Sequence, residues 1–347
     1  VWNTFRGRIF EDIHGEFKMR IAAIGDLHLT NKNPINRIDD DYLKNGLDKL
    51  KFCLDTAKDQ GCDVVLQAGD FFENPYVSNK VMADTIRVIG ESKIHCVYGQ
   101  HDIIGHSAFS LDTAPYSILS SCGCVHLLSE SPVEFDNDDS NIYIYGASFG
   151  VEIPTVKTRG INILVMHKNV GVNTISEKIQ TEHPKYFAEK VGQFNYVLVG
   201  DFHYGFVYNK DLCEILNSKM KRNYDLSSNG PHIFNMGCML RRNKTDIKQQ
   251  LVPSMGILDT ESKTLQVINV PVKSASKIFN IESFEESQAE EDYSKVTQEI
   301  FETMEGDFQD MDISGVFWNA AQRAGVRKEV IDKLNIMVEN IGGLTNG

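Results

Sequence analysis

Three short apolar runs, each ending at a turn glycine and a metal-capable side chain, constrain this chain more than any other feature. Residues 21–25 run into Asp26, residues 64–68 into Gly69-Asp70, and residues 95–99 into Gln100-His101-Asp102. Between the first two, Leu43, Leu47, Leu50, Leu54 and Ala57 recur at steps of four and three, one face of an amphipathic helix. Gly61 follows as a stop signal. Met82, Ile86 and Ile89 mark a second helix before the third run. Strand, helix, strand, helix, strand predicts a parallel sheet.

Beyond residue 124 the texture changes to apolar runs at 142–147, 161–167 and 196–200, then shorter ones at 232–238 and 255–272 with a turn at 259–263. These predict a second sheet packed on the first. The expected fold is α/β: two packed mixed β-sheets flanked by helices, with a small C-terminal appendage. Residues 1–18 read as an N-terminal extension without the apolar core of a signal peptide. Residues 19–273 read as the main domain and 274–347 as a capping or partner-docking region. In that last region 277–281 is expected to be a strand leading out of the domain. An acidic segment follows, and Ile331, Leu334, Val338 and Ile341 then share a helical face. No window approaches the ~18 unbroken apolar residues of a membrane span.

The chemistry-bearing residues gather at the predicted carboxyl ends of strands, where open α/β sheets place their sites. In Asp26-Leu27-His28 the two polar residues alternate onto one side of an extended segment. Read alone, Asp-x-His is a weak signal. Gly69-Asp70 leaves a carboxylate at a strand tip, and read alone that is more often a turn or helix-cap aspartate. Gln100, His101 and Asp102 arrive together; His167 ends the run 161–167; Asp201-Phe202-His203 follows 196–200 with the same i, i+2 spacing. A lone buried histidine is usually satisfied by one hydrogen bond. That reading does not account for His28, His167 and His203 all falling at strand tips.

The ordered set Asp26-x-His28, Gly69-Asp70, Gly99-x-His101-Asp102, His167 and Gly200-x-x-His203 resembles the calcineurin-like metallophosphoesterases. Within them it is most similar to the SbcD-type DNA repair nucleases and their phage relatives. Gly69-Asp70-Phe71-Phe72, the segment 235–241 and the turn after Met255 carry that finer likeness, which covers roughly residues 19–280. The resemblance implies the four-layer α/β/β/α sandwich of that family and a metal-dependent exonuclease or endonuclease acting in repair, recombination or phage DNA processing. It implies two divalent ions bridged by Asp70, with Asp26, His28 and His203 completing one set and Gln100, His167 and Asp201 the other. His101 is then the candidate general acid, with Asp102 orienting its ring. Mixed carboxylate, imidazole and amide ligands suit manganese first, with magnesium or iron as the other candidates.

Three positions depart from the family pattern. Gln100 stands where the family has Asn, Asp201 where it has His, and Glu73 in a slot that is often His in the nuclease branch. They keep two alternatives open: a phosphoesterase acting on nucleotides or phosphoproteins, and a non-catalytic scaffold with a degenerate site.

Charge bears on the substrate. The chain carries a formal −13, of which the block 285–312 contributes −10 through eleven acidic residues and one lysine. Bulk positive charge therefore does not hold nucleic acid here. Two clusters after His203 are the candidates for holding DNA phosphates: Lys219, Lys221 and Arg222, and Arg241, Arg242 and Lys244. A solvated surface cluster explains them as well. The expected partners are DNA and a coiled-coil ATPase of the SbcC type, with a homodimer as a further arrangement and no membrane. Seven scattered cysteines without a repeated CxxC pair read as free thiols in a reducing cytoplasm, or in the host cytoplasm for a phage protein.

Overall fold

The computed structural model describes residues 19–34, 37–39, 42–135, 141–172, 181–217, 222–242 and 252–279. The chain divides into two compact units, residues 1–273 and 274–347. The first holds two seven-stranded mixed sheets. One is built from β1 (Arg20–Ile24), β2 (Val64–Gln67), β3 (Ile94–Cys96), β4 (Val125–Leu127), β11 (Asn223–Asp225), β13 (Ser254–Asp259) and β14 (Thr264–Asn269). Its order is β11-β14-β13-β1-β2-β3-β4, with β1 to β4 parallel. The other is built from β5 (Val133–Phe135), β6 (Ile142–Ala147), β7 (Ile161–His167), β8 (Tyr196–Gly200), β9 (Phe206–Asn209), β10 (Leu212–Ile215) and β12 (His232–Asn235). Its order is β10-β9-β12-β8-β7-β6-β5, with β6, β7, β8 and β12 parallel.

Side-chain alternation sorts each strand between two cores. On β1, Ile21 and Ala23 face the second sheet, joining Val64, Leu66, Ile163, Val165 and Leu198. Ala22 and Ile24 face the opposite way, onto α1 (Tyr42–Asp59), α2 (Asn79–Ile89) and α3 (Pro115–Ser121). On β7, Leu164 and Met166 point away from the first sheet and pack with Phe187 of α4 (Pro184–Lys190). The layers are therefore helix, sheet, sheet, helix, as expected.

The periodic helix and most strands fall where the sequence puts them. α1 buries Leu47, Leu50, Leu54 and Ala57. The third strand is shorter than 95–99: after Cys96 the chain leaves the ladder, and Tyr98 exchanges hydrogen bonds with Ser148 Oγ and the Phe149 amide. The run at 232–238 ends at Asn235, because the Asn235 side chain accepts from the Gly237 amide and closes a turn. In the second unit, the expected strand at 277–281 is contradicted at its start. Ala275–Ile278 is one helical turn, closed by Phe279 N–H donating to Ala275. The remaining calls there, and the extension 1–18, lie outside the described residues. No helix among the described residues is long and apolar enough to cross a membrane.

Candidate metal centre

The parallel strands of both sheets end on one edge, and their tips carry the polar residues inward. Space there is so tight that only glycine fits at the turns. A Cβ on Gly99 would sit 2.0 Å from Asp70 Oδ1, and one on Gly200 would sit 2.3 Å from the Ala68 carbonyl. The backbone is also strained at the tips. Five described non-glycine residues have positive φ, and three of them are His28 (48°), Asp70 (48°) and Asp201 (81°). Such conformations persist where surrounding structure over-determines them, and they cluster at functional sites. Here the lock is visible: the Asp70 carbonyl accepts from the amides of Leu27 and His28, tying the first tip to the second.

Asp70 is the hub. Its Oδ2 lies 3.4 Å from His167 Nε2, 3.7 Å from His28 Nε2 and 4.0 Å from His101 Nε2. Its Oδ1 accepts from the His101 amide at 3.0 Å. The Nε2 atoms of His28 and His203 are 3.2 Å apart, and His203 Nε2 is 3.8 Å from Asp26 Oδ2. His167 Nδ1 donates to the Ala68 carbonyl at 2.6 Å, which fixes the ring with Nε2 turned into the site. Burial lowers the pKa of this imidazole, but Asp70, with Asp26 and Asp201, overrides it and raises the value to about 10, so a cation bound at Nε2 displaces a proton. Asp26 Oδ2 accepts from the Asp201 amide, and Asp201 Oδ1 accepts from Gln100 Nε2 at 2.8 Å.

Four buried atoms in this knot have no hydrogen-bond partner: Asp26 Oδ1, Asp70 Oδ2, Gln100 Oε1 and His167 Nε2. A buried polar atom without a partner costs about 1–3 kcal/mol. Four lone-pair atoms converging from four strand ends fit a site for divalent cations. Two overlapping groups, Asp26-His28-Asp70 and Asp70-His167-Asp201, each place their ligand atoms within 4.8 Å of one another and share Asp70.

Electrostatics agree. Burial lowers the pKa of His28, and burial with the neighbouring His28 lowers that of His203 well below the imidazole range, so both rings are held neutral, the form in which an imidazole can take a cation. Burial pushes the Asp26 carboxyl well above the carboxylate range; His167 opposes this, while Asp70 and Asp201 add to it. Burial works the same way on Asp70, but His167 and His28 override it and hold that carboxyl low.

Asp102 does not orient His101, as the resemblance implied. The His101 ring donates Nδ1–H to the Glu73 carbonyl at 2.9 Å. The fully buried Asp102 carboxylate instead accepts from the amides of Gly99 (2.8 Å), Phe72 (2.9 Å) and Phe71 (3.3 Å). A short 3-10 turn aims the Asp102 side chain back at its own start, away from the imidazole. Burial, then Asp70, raise its pKa to about 7 against the opposing amide bonds.

Of the basic residues expected to hold DNA, Lys219, Lys221 and Lys244 lie outside the described residues. Arg222 is exposed beside β11, and the Arg241 carbonyl accepts from Arg37 Nη1. Arg242 reaches the cluster: its Nη1 is 3.5 Å from both ring nitrogens of His28, and its Nη2 pairs with Glu73. Glu73 in turn sets Oε2 3.0 Å from His28 Nδ1. Glu73 was legible only as a departure, not as a member of the site. Cys238, whose thiol lies with His28 and His203, was not legible at all, since a scattered buried cysteine reads as core. The loop carrying Cys238 and Arg242 is sewn to both sheets: Cys238 N–H donates to the His203 carbonyl and Met239 N–H to that of Asp26.

A cleft opens on each side of the cluster. One, about 750 Å³, is lined by Phe149, Ile153, His167, Lys168 and Asp201. The other, about 580 Å³, is lined by Thr30, Lys32, Asn33, Glu73, His101 and Arg242.

No curated protein matches the chain. Among solved structures it is similar to TT1561 of Thermus thermophilus, at 14% identity and TM-score 0.43, covering 74% of this chain and 100% of that one. It is similar to a metallophosphoesterase from Sphaerobacter thermophilus, at 15% identity and TM-score 0.38, covering 75% and 91%. It is also similar to purple acid phosphatase PPD1 from yellow lupin seeds, at 14% identity and TM-score 0.43, covering 75% and 53%. The profile of the calcineurin-like phosphoesterases matches residues 19–192, half of the chain and four of the strand tips that build the site. The chain belongs to the calcineurin-like phosphoesterase family.

Proposed function

We propose that this protein is a two-metal phosphodiesterase that cleaves DNA in the manner of the SbcD-type nucleases, with manganese as its working ion. The observation that carries the hydrolytic part is the convergence of Asp26, His28, Asp70, Gln100, His167, Asp201 and His203 with four buried lone-pair atoms unpartnered. Divalent cations held there supply the Lewis acidity that activates water and neutralises phosphate charge.

The chain's own residues do the rest. His28, His203 and His167 present neutral or fixed ring nitrogens, and Asp70 links the two ligand sets. His101, with its side chain 37% exposed, stands at the edge of the cluster with Nδ1–H committed to the Glu73 carbonyl. Its Nε2 is the atom that holds the proton for the leaving oxygen. Asp102 acts one step back, clamping the turn that carries His101 onto the turn that carries Asp70. The two clefts flanking the cluster suit a substrate that continues on both sides of the scissile phosphate, as a polynucleotide does. The SbcD-like motifs point the same way, and with them a coiled-coil ATPase partner of the SbcC type, docked through residues after 274.

A second reading, a phosphoesterase for smaller esters, draws support from Glu73, which brings negative charge into the wall where a DNA backbone would lie. The test is linear duplex DNA against bis-p-nitrophenyl phosphate, both with manganese. Degradation from DNA ends is the expected result. Turnover of the small diester alone selects the second reading, and no turnover of either leaves a scaffold with a degenerate site.

A further inference from the structure

We propose that the cleft lined by Phe149, Ile153, Asn169 and Thr181 is a nucleobase pocket, which seats the base of the nucleotide that stays at the metal centre when the leaving group departs. The inference rests on the hydrolytic reading above and adds to it which part of the substrate is recognised, and on which side of the scissile bond.

A group that protonates the leaving oxygen must face the leaving group. His101 lines the 580 Å³ cleft and not the 750 Å³ one, so the departing half of the substrate lies in the smaller cleft. The larger cleft, lined by His167 and Asp201 of the metal centre, then takes the half that keeps the phosphate. Its own charges are spent on one another. Glu182 lies 3.5 Å from Lys168 Nζ and 2.7 Å from Lys190 Nζ. With Glu152 at the exposed rim, two lysines face two glutamates. Walls balanced in this way offer little to a further phosphate and suit an uncharged group.

What the cleft does offer is the surface a base needs. Phe149 brings an aromatic ring, braced by His106 at a centroid distance of 5.9 Å and an angle of 77°, and its N–H donates to the Tyr98 carbonyl. Ile153 and Met166 extend the apolar wall. Stacking on an aromatic face accepts any of the bases. Asn169 and Thr181 serve the base edge. A bridge between Val170 and Glu182 brings them to one stretch of wall: Glu182 N–H donates to the Asn169 carbonyl at 3.1 Å, and Gly171 N–H donates to the Glu182 carbonyl at 3.0 Å. Neither Asn169 Oδ1 nor Thr181 Oγ1 has a hydrogen-bond partner, so their bonding capacity is not spent inside the protein. A carboxamide and a hydroxyl can each donate and accept, as the mixed donors and acceptors on a base edge require. A nucleobase is uncharged, apolar on its faces and polar along its edges, and the walls supply a partner for each.

The experiment uses the full chain loaded with manganese and three dinucleotides: TpT, and TpT with either its 5′ or its 3′ nucleoside replaced by an abasic tetrahydrofuran residue. Mass spectrometry of the products shows which half keeps the phosphate. Removing the base from that half is expected to lower kcat/KM at least about tenfold, the scale of one stacked base, while removing the other base has little effect. The discrimination should shrink in Phe149→Leu, which keeps an apolar side chain but no ring, and in Asn169→Ala. Equal rates for all three substrates, a loss only from the departing half, or discrimination intact in both variants would each overturn the pocket. Calorimetric binding of thymidine 3′- and 5′-monophosphate against inorganic phosphate gives a readout without turnover. At least about tenfold tighter binding of one of the two nucleotides, reduced in Phe149→Leu, is expected, and affinities no better than that of inorganic phosphate overturn the proposal. Failure to hydrolyse any phosphodiester, with the nucleotide preference intact, would instead overturn the hydrolytic reading and leave the pocket standing.

Discussion

Asp70 is the residue on which the centre turns. It is fully buried, its backbone is left-handed, and its unpartnered Oδ2 faces three imidazoles. Removing its carboxylate takes a ligand from both overlapping groups at once. Asp70→Ala is therefore expected to lose both ions in a metal-content measurement; a variant that keeps two ions would show that Asp70 does not bridge. His101 differs in kind. Its ring is anchored to a carbonyl and points Nε2 at the edge of the cluster, so His101→Ala should retain full metal content while turnover falls by roughly 10²–10⁴. Turnover like that of the unaltered protein would remove it from proton transfer.

At the scale of elements, the site is a set of turns held together, and this is where sequence and structure part. The strand tips and the terminal His167 were legible because apolar runs fix where a strand ends; the i, i+2 pairs reach the site through turns past β1 and β8, with left-handed backbone at His28 and Asp201, and not by strand alternation. The identity of the partners was not legible, because it depends on turns whose geometry no periodicity encodes. Asp102 is the case in point. Adjacent to His101 in sequence, it reads as that ring's support, yet the 3-10 turn sends its carboxylate to three amides on two segments. Glu73 and Arg242, 169 positions apart in sequence, meet for the same reason. Asp102 thus predicts as an element-level residue. Asp102→Ala leaves buried amides of Gly99 and Phe72 without acceptors, at about 1–3 kcal/mol each. Urea denaturation should report a loss of that order, with metal affinity weakened as the two tips loosen. An unchanged midpoint would mean the turns hold without it.

For the whole molecule, the ligand knot sits between two sheets that otherwise meet through apolar side chains, so cation binding and folding are one equilibrium. At a free ion concentration about a hundred times Kd, binding adds about 2.7 kcal/mol, or roughly 5–10 °C in Tm for a unit of this size. The pH dependence follows from the shifts. The raised Asp26 pKa favours the protonated folded form: without cations that contribution is present below the unfolded carboxylate value and is lost as pH rises through the raised folded one. The lowered pKa values of His28 and His203 act oppositely: the folded state disfavours their protonation, so stability is lost as pH falls below the ordinary imidazole range. A cation takes the ionised carboxylate and the neutral imidazoles, so binding displaces the Asp26 proton and the proton that Asp70 holds on His167, and His28 and His203 must first lose any proton they gain in acid. The Tm difference between manganese-loaded and chelator-treated protein should therefore widen as pH is raised from about 5 to about 7.5, with proton release on binding seen calorimetrically. A difference that is flat or narrows over that range would mean that the cations are held by groups other than these.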